Sequence, residues 1–226
     1  MFPLGREQPP LYRDRSEAGQ VLGAQVSNAH RDEDAIVLAL PRGGVPVGFE
    51  VARALDAPLD VFLVRKLGVP GHEELAMGAI ASGGLRVINE AIVESLRIPP
   101  AVIETVAADE QAELNRRERL YRGDRPLPDV RGRVVILVDD GLATGSTMRA
   151  AGAALRERGP ARLVVAVPVA AQETCDELRT EVDEVLCAAT PEPFYAVGLW
   201  YDDFTQATDD EVRGLLDAAA RRRRAA

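Results

Sequence analysis

A chain of 226 residues, 46% hydrophobic and 28% charged, is long enough to bury a substantial core and has the make-up of a globular domain, which excludes fibrous and wholly disordered classes. Its formal net charge of −9 argues against general binding to nucleic acid or acidic membranes, so any anion site must be built locally. No stretch approaches membrane-spanning length and the opening residues lack an apolar signal core, so a cytoplasmic protein is expected; Cys175 and Cys187, without C-x-x-C spacing, are expected to be reduced structural thiols.

In chain order, residues 1–10 are Pro-rich and irregular, and Arg13 to Ala29 carry helical spacing at Ala18, Val21, Leu22 and Val26, a pattern that reads as packing. Ala35 to Leu40 reads as a buried strand running into Pro41-Arg42-Gly43-Gly44, with a helix from Val45 to Leu55 behind it. Arg42 and the bare N–H groups of Gly43 and Gly44 suit a pyrophosphate. Leu59 to Val64 is a strand that delivers Arg65 and Lys66. Of 27 basic residues Lys66 is the only lysine, a compact cation whose charge is tunable where that of an arginine is not. Gly68 to Glu74 has the glycines of a mobile loop, and His72 within it is either a catalytic acid–base or a solvated loop residue.

Met77 to Ala81 and Leu85 to Ile88 read as a hairpin, Asn89 caps a short helix to Leu96, and Pro99-Pro100 opens a long helix to Arg122. Its arginines stand four residues from Glu113 and Glu118, as on a salt-bridged solvated face. Residues 71–133 are expected to form an insertion in a single domain.

The next stretch organises the chain. Val134 to Val138 is a strand buried on both faces, the mark of a parallel sheet, and it ends in Asp139-Asp140. Gly141-Leu142-Ala143-Thr144-Gly145-Ser146-Thr147 follows, opening a helix that closes at Gly159-Pro160. A small-residue turn at a helix start offers free N–H groups and hydroxyls to a phosphate. The two carboxylates would repel that phosphate, so they face another part of the ligand, either vicinal hydroxyls or a divalent cation. A phosphorylated sugar satisfies both. A Walker A loop would need a Lys before the Ser, and a dinucleotide fingerprint would need G-x-G-x-x-G; neither is present. Beyond it come a strand from Arg162 to Val167, a helix from Gln172 to Thr180 and a strand from Val182 to Cys187. Five of the ten aromatics then crowd into Phe194 to Phe204, as either a small core or a hood that stacks a flat base. Thr208 and Glu211 form a capping box for a last helix, and residues 221–226 are expected to be a disordered tail.

Val135 to Thr147 resembles the phosphoribosyl pyrophosphate (PRPP) signature of type I phosphoribosyltransferases. The resemblance implies an α/β fold with a mostly parallel central sheet flanked by helices, an inserted subdomain and a hood at residues 188–207. It implies Mg²⁺-dependent transfer of phosphoribose from PRPP to a nitrogenous acceptor by a homodimer with no nucleic-acid or membrane partner. It assigns Asp139 and Asp140 to the ribose and the metal, and Ala143, Thr144, Gly145, Ser146 and Thr147 to the 5′-phosphate. Arg42, Gly43, Gly44 and Lys66 fall to the pyrophosphate, with Asp139, Asp140, Arg42 and Lys66 as the catalytic set. More loosely, it assigns Tyr195 and Trp200 to the base and Asp202 to the metal, and it raises a cis bond at Arg42–Gly43. At Ala143, members acting on 6-oxopurines hold an acid, which points away from hypoxanthine or guanine. A PRPP-binding regulator and a ribosyl-phosphate hydrolase stay open beside the transferase.

Overall fold

The structure, a computed structural model, describes residues 9–225, so most of the Pro-rich start lies outside the described residues. Five parallel strands form the main sheet: β1 (Ala35–Ala39), β2 (Leu59–Val61), β6 (Val134–Val138), β7 (Arg162–Val169) and β8 (Glu184–Ala189), in the order β2-β1-β6-β7-β8. Every residue of β1 and β6 is buried, and the period of two sorts their side chains between two helical layers. Val134, Ile136 and Val138 pack with Leu22 and Val26 of α1 (Arg15–His30) and Val47 and Val51 of α2 (Gly44–Leu55). Val135 and Leu137 pack with Met148, Ala151 and Leu155 of α5 (Ser146–Arg156) and with Leu178 of α6 (Gln172–Leu178). The mostly parallel α/β architecture expected from the sequence is the one observed.

Leu59 to Val64, read as one strand, divides. Phe62 N still donates to Ala39 O at 3.0 Å, but Leu63 N is taken by Ser82 Oγ at 3.0 Å, and the chain turns into a second sheet. That sheet is antiparallel, β3-β4-β5, built from β3 (Val64–Val69), β4 (His72–Ala81) and β5 (Leu85–Ile88). The segment expected as a mobile loop is therefore a hairpin turning at Pro70-Gly71, with Gly71 at φ 79° and Val69 paired to His72. Register shifts around Gly68 break the alternation and hide the strand from a sequence reading. His72 is the exposed first residue of β4.

Two helices follow, α3 (Glu90–Leu96), capped by Asn89 Oδ1 on Ile92 N at 3.3 Å, and α4 (Pro100–Arg122). The end of α4 is fixed by Arg122, which donates to Val61 O at 2.8 Å and pairs with Asp60 at 3.2 Å. Burial pushes the Asp60 carboxyl up and Arg122 pulls it back. The last helix, α7 (Asp209–Ala225), opens with the capping box as read: Thr208 N donates to Glu211 Oε2 at 2.7 Å and Glu211 N to Thr208 Oγ1 at 3.2 Å. Of the tail expected to be disordered, residues 221–225 instead continue α7, where Arg222 reaches back to Ala52 O at 3.0 Å and docks the helix end on α2; residue 226 lies outside the described residues.

The cysteines also depart from expectation. Cys175 on α6 and Cys187 on β8 form a disulfide. The sequence spacing carries no sign of it, because the pair meets only once β8 lies beside β7, with Cys187 opposite Val167. Among the described residues no helix is long and apolar enough to cross a membrane.

Candidate active site

β1 and β6 are neighbours whose chains leave in opposite directions, β1 through α2 to β2 and β6 through α5 to β7. In an open parallel sheet the crevice at the carboxyl ends of such a pair is where ligands bind. Both motifs lie there. Leu40 N donates to Val138 O at 2.9 Å, which aligns the two strand ends. A Cβ on Gly44 would stand 2.8 Å from Val138 O and 2.9 Å from Asp139 Cα, and one on Gly43 only 2.0 Å from Asp140 Oδ2. The double glycine is thus required by contact with the acidic pair. The loop contains a cis peptide, at Pro41–Arg42 and not at Arg42–Gly43. Arg42 is part-exposed and lies 3.9 Å from Asp209, the first residue of α7, which also accepts the Tyr121 hydroxyl at 2.6 Å. Burial, and then that bond, push the Tyr121 phenol up to about 12.

After the acids, Ala143, Thr144, Ser146 and Thr147 are exposed around the start of α5. Gly145 caps the helix at φ 68°, where a side chain would be strained and its Cβ would meet Thr174 Cγ2 at 2.8 Å. Thr174 on α6 also donates to Ala143 O at 2.5 Å, so α6 buttresses the turn from behind. The first-turn N–H groups of α5 have no acceptor within the helix, and the exposed Thr144, Ser146 and Thr147 lie beside them in the chain.

The phosphoribosyl transferase domain family matches residues 18–198 of this chain. The chain belongs to that family. A Mycobacterium tuberculosis H37Rv protein with the provisional name phosphoribosyl transferase Rv0571c is 44% identical over 211 residues, 93% of this chain and 47% of that protein. The chain therefore spans about half the length of that curated relative. The "Bifunctional protein PyrR" of Chloroflexus aurantiacus is 35% identical over 130 residues, 56% of this chain and 65% of that one. Among solved structures, TT1426 from Thermus thermophilus superposes with a TM-score of 0.80 at 42% identity, covering 91% of this chain and 97% of that one.

Within the family fold, the residues singled out from sequence fall into two groups. Gly43 and Gly44 stand against Asp140 and Asp139, and Arg42 beside them lies by Asp209 at the start of α7. Lys66 lies with the residues of the turn that opens α5: it lines a cleft of about 620 Å³ between the β3-β4-β5 sheet and α5, together with Ser146, Thr147, Asn89 and Arg149, and lies 3.5 Å from Glu74. The aromatic segment divides as well. Trp200, assigned to the base by the resemblance, is buried in a small cluster with Tyr12 and Tyr201 and stacks on Phe194 at 6.3 Å. Tyr195 is 73% exposed. Asp202 is exposed, and its N–H donates to Tyr12 O at 2.9 Å.

One residue at this site was not legible in the sequence. Arg15, the first residue of α1, donates from Nε to Asp140 Oδ2 at 2.7 Å and from Nη1 to Thr205 O at 2.7 Å, with its guanidinium 3.9 Å from the Phe204 ring centroid. The helical spacing of α1 announced packing, and no motif surrounds Arg15. Its partners are distant in sequence and come together only in the fold.

Both acids are titrationally unusual. Burial first, then the charge of Asp140, pushes the Asp139 carboxyl well above the ordinary carboxylate range; burial also raises Asp140, opposed by Arg15. The folded state therefore holds more protons than the unfolded chain between the ordinary carboxylate range and these raised values. Stability attributable to the pair is fully present below that window and is lost as pH rises through it. Asp139→Asn removes the cost of ionising a buried acid and keeps an oxygen for the Asp140 N–H, which donates to Asp139 Oδ1 at 2.8 Å. Its melting temperature, followed by calorimetry in metal-free buffer, is expected to match the native chain at low pH and to exceed it increasingly toward neutrality. An offset independent of pH would contradict this.

Proposed function

We propose that the chain transfers the phosphoribosyl group of PRPP to a nitrogenous acceptor and releases pyrophosphate. The observation that carries this reading is the contact of the Arg42-Gly43-Gly44 turn with the Asp139-Asp140 pair, beside a phosphate-type turn at the start of α5. One ligand with a 5′-phosphate, a diol and a pyrophosphate meets all three. The α5 N–H groups and the hydroxyls of Thr144, Ser146 and Thr147 hold the 5′-phosphate, with Lys66 adding charge from across the cleft. Hydrogen bonds to a charged group contribute about 1.5–3 kcal/mol each. Asp139 and Asp140 hold the ribose hydroxyls, and Arg42 with the Gly43 and Gly44 N–H groups steadies the departing pyrophosphate. Exposed Tyr195 offers a flat acceptor a stacking face.

Among the described residues no group of three or more His, Cys, Asp and Glu side chains is placed to hold a metal ion. Mg²⁺ is commonly held through one or two carboxylates, with water and substrate phosphates completing its shell, so the Asp139–Asp140 pair fits an ion that arrives with PRPP. Such an ion would screen the charge of the leaving group.

A second reading, PRPP binding without physiological turnover, is favoured by Ala143, where no acid stands to take a proton from the acceptor. Titration calorimetry with PRPP and Mg²⁺ tests what the two readings share: the expectation is one saturable site per chain, and no binding would remove both. Thr174→Val, which frees the turn from its buttress, is expected to weaken PRPP binding about two- to tenfold in the same titration, the equivalent of one net hydrogen bond.

A further inference from the structure

We infer that Arg15 is a positioning residue for the reaction: it aims the Asp140 carboxylate and ties that aim to the segment that closes the hood. This rests on the phosphoribosyl-transfer reading above. Three contacts made by one buried side chain carry it.

Nε holds Asp140 Oδ2, Nη1 holds the Thr205 carbonyl, and the guanidinium face lies over Phe204, with the Arg15 side chain only 10% exposed. A planar fork can satisfy all three at once, whereas a lysine ammonium can supply the charge but neither the paired directions nor the flat face. Asp140 is fixed from its main chain as well, because the Tyr201 hydroxyl donates to Asp140 O at 2.6 Å. Tyr201 and Phe204 both belong to the aromatic segment, and their rings are 5.1 Å apart.

The base of Arg15 is also pinned. Asp14 Oδ1 caps the helix start by accepting from Glu17 N at 2.8 Å. Tyr12 bridges to Tyr201, and its hydroxyl donates to Pro168 O at 2.9 Å. On the opposite side, Gly43 approaches so closely that a Cβ there would stand 3.3 Å from Arg15 Nε. Asp140 is thereby flanked by α1, the aromatic segment and the glycine turn, and its carboxylate is held toward Arg15. The ion pair also cancels the Asp140 charge locally, so this carboxylate acts on the ribose as an oriented hydrogen-bond acceptor more than as a counter-charge.

Steady-state kinetics on Arg15→Met, Arg15→Lys, Asp140→Asn and the double variant Arg15→Met/Asp140→Asn test the role, with thermal melting alongside. Arg15→Met is expected to lower kcat at least tenfold while changing the KM for PRPP less than threefold. Arg15→Lys, which keeps the charge and guards against a variant that fails to fold, is expected to lie within threefold of Arg15→Met in kcat. The double variant is expected within twofold of Asp140→Asn alone, since aiming an absent carboxylate does nothing. Wild-type kcat in Arg15→Lys, or multiplicative losses in the double variant, would overturn the positioning role while leaving the transferase reading standing. A native chain that neither binds nor turns over PRPP would remove the reaction itself, and with it the role.

Discussion

Asp140→Asn is expected to lower turnover at least tenfold while the chain remains folded. The amide keeps the shape of the side chain and an oxygen that can accept from Arg15, but it loses the negative charge of the ion pair and of one of the two carboxylates proposed to face the ligand. The structural cost is bounded. Arg15 retains the Thr205 carbonyl and the Phe204 ring, so the loss of stability stays below about 1.5–3 kcal/mol, the worth of one whole hydrogen bond to a charged group. A variant that melts close to the native chain and has lost its activity would locate the defect in chemistry. Full activity in Asp140→Asn would remove that carboxylate from the mechanism.

The glycine turn gives the second large effect, because its two members fail in different ways. An added methyl at position 43 meets the end of a side chain, Asp140 Oδ2 at 2.0 Å and Cγ at 2.7 Å. Swinging that carboxylate aside relieves the clash, so Gly43→Ala is expected to fold and to lose turnover at least tenfold by disarranging Asp140 and its bond to Arg15. At position 44 the methyl meets main chain, Val138 O at 2.8 Å and Asp139 Cα at 2.9 Å. Neither can move without separating the ends of β1 and β6, so Gly44→Ala is expected to destabilise the fold by about 1–3 kcal/mol, the usual cost of overpacking. For a chain of this size that lowers the melting temperature by roughly 2–4 °C per kcal/mol. Parallel melting and activity measurements on the two variants separate these outcomes; equal melting temperatures with equal activities would contradict the geometry.

What the sequence made legible follows from where the information is local. Val134 to Val138 announced a doubly buried strand because all five residues are apolar, and the acids and hydroxyls behind it are contiguous. Ala35 to Leu40 and its glycine turn were legible for the same reason. The capping residues Asn89 and Thr208 act within a few positions of themselves, and both caps are present. The rest depends on distant contacts. The bulge at Gly68 concealed a hairpin as a loop, the burial of Trp200 depends on Tyr12 from far away in the chain, and Cys175 meets Cys187 only through strand pairing. Arg15 is the clearest case. Its partner Asp140 lies 125 positions away, and nothing in the spacing of α1 points to it.

The central claim is that the two loops at the ends of β1 and β6 serve one transfer reaction. It is tested most directly by measuring pyrophosphate release from PRPP and Mg²⁺ across a panel of purine and pyrimidine bases and small nitrogen acceptors. Release is expected to depend on the acceptor, with the matching ribonucleotide formed in equal amount. Saturable PRPP binding with no release for any acceptor would contradict the transferase reading and favour a regulator built on the same site.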